Sequence, residues 1–207
     1  MKILYEDFHE PEIISESNDS GKKKYKIRGV FSTIGEKNRN GRIYPEHLWK
    51  REVDKYQEVI KSGSINRLCE WEHPERTNVD IMEAVAAIED LHIEGNKVIG
   101  TAVLLDNPKA TQLKSLIDNG IKISVSSRGV GNVGKNGIVD EFNLITYDLV
   151  SSPSDHNATM SGLVESTKEF ELKDGKYVES KNTSKANVIL DFISKLWERE
   201  KWNFHNF

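Results

Sequence analysis

Residues 121–150 read IKISVSSRGVGNVGKNGIVDEFNLITYDLV, two alternating runs on either side of the turn Gly134-Lys135-Asn136-Gly137. Successive side chains of an extended chain point to opposite faces, so Ile121, Ile123 and Val125 share one face and Lys122, Ser124, Ser126 and Arg128 the other. The same count places Ser127 on the apolar face and leaves Ser126 as the hydroxyl that reaches a cleft. In the second run Phe142, Leu144, Thr146 and Asp148 fall together, which partly buries the Asp148 carboxylate and obliges it to find a donor. Two strands joined by a turn are the expectation.

Working outward, Ala84 to Ile93, the turn Glu94-Gly95-Asn96 and Val98 to Leu105 predict a β-hairpin with apolar, partly β-branched arms. Tyr25 to Ile34 suits a strand, and the turn formers of KNRNGR (37–42) lead to a helix with Pro45 in its first position. Leu48, Trp49, Val53, Tyr56, Val59 and Ile60 form its stripe and Gly63 ends it. A second helix is capped by Asn107, opens on Pro108, buries Leu113, Leu116 and Ile117, and exits at Asn119-Gly120. At least six short strands with two helices inserted follow.

The polar, acidic residues 1–23 predict a flexible N-terminal segment ahead of a folded domain over 24–160. After Pro153 the chain turns small and polar, and 166–186 is rich in Lys, Glu and Ser, as in a linker. Ser184 can then cap an amphipathic helix with Val188, Ile189, Phe192, Ile193, Leu196 and Trp197 on one face. Residues 161–207 are thus expected to be a linker and a helix that folds back on the domain, docks on a partner or restrains the active site.

The 207 residues carry 29 basic against 33 acidic side chains, a net charge of -4, and no dense Lys/Arg patch interleaved with aromatics. That balance disfavours a dedicated nucleic-acid binder. A lone Cys69 allows no intrachain disulfide and points to an intracellular chain. No stretch approaches the ~20 apolar residues that span a bilayer, and a soluble protein without membrane insertion is expected.

A serine becomes a nucleophile only when a base takes its proton, normally a histidine oriented by a third group. Of six histidines, His9, His47, His92 and His205 read more simply as surface or core residues, and His156 sits in a polar loop. His73 differs: Pro74 fixes extended backbone where a short strand gives way to a loop. The plain alternatives stay open. Ser126 and Ser127 can simply hydrogen-bond at a strand end, Asp148 can cap backbone amides near Ser151 and Ser152, and Asp155 competes with Asp148. Cys69, Glu70, Glu72 and His73 lack the second ligand pair that a zinc site requires, and no cofactor or metal is expected. A G-x-S-x-G elbow and a phosphate-binding loop are both missing from the sequence.

Five blocks, NRNGRIYP (38–45), WEHPERTNVD (71–80), AVAAIEDLHIEGNKVIGTAVL (84–104), SVSSRGVG (124–131) and YDLVSSPS (147–154), together resemble the prohead core proteases of T4-like tailed phages. The resemblance covers roughly residues 25–155. It implies an α+β fold similar to the herpesvirus assemblins, a mostly antiparallel β-barrel surrounded by helices. It also implies a serine endopeptidase with His73 as general base, Ser126 as nucleophile and Asp148 orienting the base. Backbone N–H groups around Arg128 and Gly129 are the candidate oxyanion donors, glycine permitting close approach.

Such enzymes are expected to cut scaffold and capsid proteins after Glu, inside the prohead in the host cytoplasm, and to act as homo-oligomers. The required string, an aliphatic residue two positions before Glu and a small one after it, occurs at Ile14-Ser15-Glu16/Ser17 and Leu163-Val164-Glu165/Ser166. Self-cleavage after Glu16 and Glu165 is therefore expected. Ile81-Met82-Glu83/Ala84 also matches, but at a strand start where backbone is protected. The rival reading is a noncatalytic head-assembly protein that keeps the barrel as a binding module.

Overall fold

The computed structural model describes residues 1–5, 9, 11–17, 23–151 and 165–179. In chain order the elements are β1 (Lys2–Tyr5), β2 (Glu12–Ser17), β3 (Lys23–Thr33), α1 (Glu46–Lys61), β4 (Leu68–Glu70), β5 (Ala84–Glu94), β6 (Lys97–Leu104), α2 (Pro108–Asp118), β7 (Ile123–Val133) and β8 (Val139–Ser151). One antiparallel sheet has the order β2-β3-β6-β5-β4, and in another β7 lies between β1 and β8. A parallel bridge, Trp71 to Leu149, joins the chain just past β4 to β8. The described residues are mostly β with two α-helices, and no closed barrel forms among the described strands.

Both helices and the central hairpins follow their local signals. Asn107 accepts from the Ala110 amide at 2.8 Å and Pro108 opens α2. α1 starts at Glu46 with Pro45 just outside it, and Gly63, at φ 65°, lies just past its end. The buried face of α1, Leu48, Trp49, Val53 and Tyr56, meets Phe31, Ile88, Phe142 and Tyr147 in the core. Trp49 lies 5.3 Å from Phe142 and 6.4 Å from Tyr147, ring centre to ring centre. Each such side chain contributes roughly 1.5–3 kcal/mol by leaving water.

The N-terminal segment is not flexible throughout. β1 pairs with β7, Ile3 opposite Val130, and β2 pairs with β3, Ile14 opposite Lys26. Four and six residues are too few to announce a strand by periodicity; partner strands far along the chain supply their hydrogen bonds. Glu16 consequently lies inside β2, opposite Lys24, and not ahead of the first strand.

The expected linker also needs correction. β9 (Glu165–Lys173) and β10 (Lys176–Glu179) form an antiparallel hairpin. Asp174 (φ 49°) and Gly175 (φ 73°) close it, the two positive φ values of a two-residue hairpin turn. The chain divides into two compact units, Met1–Ser166 and Thr167–Phe207. The helix expected over 184–197 lies outside the described residues, as do Asp155, His156 and His205.

Strands β7 and β8 depart from simple alternation in two ways. Both faces of β7 are buried, Ser124, Ser126 and Arg128 as fully as Val125 and Ser127. The ladder also slips: Arg128 opposes Thr146 but Gly129 opposes Leu144, leaving Ile145 as an extra residue. Such a bulge reverses the faces beyond it. Phe142 therefore joins Tyr147 around Trp49, on the face opposite Asp148, and does not share that carboxylate's face.

Candidate active site

The β7–β8 register sets Ser126 directly opposite Asp148. Cross-strand partners project to the same face, so a hydroxyl and a carboxylate stand side by side without help from any loop. The third group arrives from the end of β4. Glu70 donates its amide to Asp148 Oδ1 at 3.3 Å, Trp71 bridges to Leu149, and Glu72 then takes the left-handed conformation at φ 62°. Its amide donates to the Leu149 carbonyl at 2.8 Å and its carboxylate accepts from the Ser151 amide at 3.0 Å. This turn, followed by Pro74, aims His73 back at the strands.

His73 spans the pair. Its Nδ1 lies 2.8 Å from Asp148 Oδ2 and its Nε2 lies 2.8 Å from Ser126 Oγ. An ionised carboxylate only accepts, so Nδ1 carries the ring proton and Nε2 accepts from the serine hydroxyl. Asp148 and Ser126 are fully buried, whereas the His73 side chain is 13% exposed. Ser127 Oγ, on the other face, is buried and finds no hydrogen-bond partner among the described residues.

Asp148 has a second side-chain partner that the sequence did not announce. Arg128 donates Nε to Oδ2 at 2.7 Å and Nη2 to Oδ1 at 3.2 Å. The same Nη2 reaches Glu70 Oε2 at 2.5 Å, and Arg76 Nη2 reaches Glu70 Oε1 at 2.5 Å. Two buried carboxylates and two guanidinium groups thus form one nearly neutral set behind His73. Alternation had put Arg128 on the face of Ser126, and a buried arginine demands carboxylates; that was the available signal.

A family model of the prohead core protein serine proteases matches residues 8–181. The chain belongs to that family. It is 34% identical over 138 residues to the prohead core protein protease of Enterobacteria phage T4, an alignment covering 62% of this chain and 64% of that protein. The match thus spans just under two thirds of that relative's length. In three dimensions the chain is similar to the bacteriophage T4 capsid assembly protease, gp21, with a TM-score of 0.67 and 31% identity over 73% of this chain and 98% of that one.

Within this member of the prohead protease family, the remaining candidates sit elsewhere. Arg128 and Gly129 occupy the interior of β7, with Tyr5 and Leu4 of β1 on one side and Thr146 and Leu144 of β8 on the other. Both positions are thus flanked by strands, with the β8 bulge opposite the Arg128–Gly129 step, and the Arg128 side chain turns to Asp148 and Glu70. His47 is exposed on α1, and His92 sits between Asp90 and Glu94 at 2.6 and 3.0 Å. Cys69 is buried, burial pushing its thiol well above the ordinary range. Among the described residues no group of three His, Cys, Asp or Glu side chains is arranged to hold a metal ion.

Proposed function

We propose that this chain is a serine endopeptidase of phage prohead maturation, cutting scaffold and capsid proteins, and itself, after Glu. The observation that carries the reading is His73 bridging Ser126 and Asp148 with two contacts of 2.8 Å. Nε2 takes the hydroxyl proton as Oγ attacks a peptide carbonyl, and the imidazolium is stabilised by Asp148. The tetrahedral intermediate collapses when His73 returns that proton to the leaving amine, giving an acyl-enzyme. Water, deprotonated by His73, then attacks the ester, releases the acid and restores the hydroxyl.

Two features favour a latent precursor. Ser126 has no exposed surface, so a peptide carbonyl reaches Oγ only after local opening. Glu165 is the first residue of β9 and lies one residue before the boundary between the two compact units, so a cut after it falls at a strand end and breaks the chain ahead of residues 166–207. Glu16 is a poorer site, because its backbone is paired in β2, although β2 is an edge strand. Glu83 lies in a turn, but Ala84 opens β5 opposite Glu70, which protects the primed side. The Trp71–Leu149 bridge supports reading the two sheets as parts of one assemblin-like barrel. Homo-oligomers working inside the prohead in the host cytoplasm complete the proposal.

The test is the intact mass of purified wild type and Ser126→Ala over time, with a peptide of the Leu-Val-Glu-Ser type as external substrate. Wild type that shortens to a fragment ending at Glu165 and cuts the peptide after Glu, beside an inert variant, is the expected result. If both behave alike, or neither cuts the peptide even when added scaffold is present, the noncatalytic head-assembly reading takes over.

A further inference from the structure

The Asp148 carboxylate is held at both oxygens. Oδ2 accepts from His73 and from Arg128 Nε, and Oδ1 accepts from Arg128 Nη2 and the Glu70 amide. The guanidinium in turn uses all of its donors: beyond these contacts and Glu70 Oε2, Nη1 donates to the Arg76 carbonyl at 2.8 Å and reaches that of Asn78 at 3.4 Å. Arg128 is fully buried, and Glu70 takes a further amide from Asp80 at 2.7 Å. A fork of this kind fixes a carboxylate in one rotamer, which a lysine ammonium does not do.

Such an ion set is a weak source of stability, since apolar residues of equal volume pack as well without the cost of desolvation. What apolar residues do not provide is a fixed field at His73. We propose that Arg128 and Glu70 are positioning residues for the Ser126–His73–Asp148 set, a reading that rests on the function proposed above. Arg128 locks Asp148 and offsets part of its negative field at the imidazole; Glu70 limits how far that offset goes. The groups facing this cluster are Asp148 on β8, Arg128 on β7, Glu70 and Cys69 on β4, Glu72 and Arg76 in the following loop, and Tyr56 on α1. Burial keeps Cys69 and Tyr56 neutral. The charges that matter are therefore those of Asp148, Glu70, Arg128 and Arg76, with Glu72 nearer the chain surface at Ser151.

Opposite substitutions then have opposite effects. Arg128→Gln removes a positive charge, leaves two carboxylates behind His73 and favours the imidazolium. The acid limb of the kcat/KM profile moves to higher pH by about one unit. Glu70→Gln removes a negative charge with little change of shape and moves the limb to lower pH. Arg128→Lys keeps the charge but loses the fork: kcat falls, KM changes little, and the limb stays in place.

The profiles are measured on a Glu-containing peptide, with the full chain or whichever processed form is active. A parallel arm follows the His73 ring by NMR titration in full-length Ser126→Ala, where no activity is needed. Opposed shifts for Arg128→Gln and Glu70→Gln support the assignment. Shifts of the same sign, or an unmoved midpoint in both folded variants, overturn it and reduce the set to a structural tie. Where Arg128→Gln does not fold, Glu70→Gln and Arg128→Lys decide by the same criteria. Failure of the triad itself has a different signature, a His73→Ala variant that keeps full peptidase activity.

Discussion

Ser126 and Asp148 are cross-strand neighbours in the β7–β8 ladder, and the ring of His73 links their side chains. A hydroxyl and a carboxylate are thus fixed by one sheet register, and the loop after β4 delivers the imidazole between them. Register is the stiffest positioning device a sheet offers, because a slip of one residue would send Ser126 and Asp148 to opposite faces.

Asp148→Asn tests the orienting role. An amide presents both a donor and an acceptor where Arg128 and His73 Nδ1 both donate, so one of them loses its partner or the ring changes tautomer. We expect kcat to fall on the order of 10³–10⁴-fold, as when the orienting acid of a serine protease is removed, with KM little changed. Steady-state kinetics on the peptide substrate read this directly, and a loss of under tenfold contradicts the assignment.

The burial of Ser126 predicts slow chemical labelling. A fluorophosphonate reacts only with molecules in which Oγ is open, so its rate is scaled by the open fraction. Full-length chain should label at least about tenfold more slowly than chain cut after Glu165. Equal rates, followed by intact mass, would show that a cut after Glu165 does not open the site.

The bulge at Ile145 depends on α1. Glu52 is buried, accepts the Leu144 amide at 2.9 Å and is paired with Arg51 and Lys55, while Arg51 donates to the Phe142 carbonyl. Glu52→Ala leaves the partly buried Leu144 amide without this acceptor and should cost about 1 kcal/mol. Glu52→Gln keeps an acceptor and should cost less. Urea denaturation of both variants gives the comparison, and a neutral Glu52→Ala removes this support from the ladder.

Gly129 answers to packing. A Cβ there would lie 2.2 Å from Phe142 Cε2 and 2.8 Å from the Asn143 carbonyl oxygen. The ring is itself wedged against Tyr44 and Trp49, at 4.9 and 5.3 Å. Gly129→Ala should destabilise by about 1–3 kcal/mol, seen as a lowered Tm, since over-filling a packed core forces shifts of that cost. Full stability would mean that Phe142 has room the structure does not show.

Cys69 carries a pH prediction. Burial, and after it the Asp148 charge, pushes its thiol well above the ordinary range. A folded-state value above the unfolded one means stability present in full below the unfolded value, about 8.5, and lost progressively as pH rises beyond it. Between pH 8 and 10 the wild type should lose more stability than Cys69→Ala. The native thiol should also resist a disulfide reagent until the chain unfolds; rapid native labelling would contradict its burial.

Much of this architecture is written locally. The cap at Asn107, the turn at Glu94-Gly95-Asn96 and the stripe from Leu48 to Tyr56 act over a few residues, and the elements they predict are present. Alternation within IKISVSSRG likewise separated Ser126 from Ser127 before any partner was known. Tertiary structure decided the rest. β1 and β2 are too short to declare themselves and exist because β7 and β3 offer ladders. The slip at Ile145, which moved Phe142 away from Asp148, is invisible to a count of two and is held by a glutamate 92 residues away. His73 meets its partners across 53 and 75 residues, and Arg128 meets Glu70 across 58. Period, caps and turns come from neighbours along the chain; register, bulges and buried ion sets come from neighbours in space, which only the folded chain brings together.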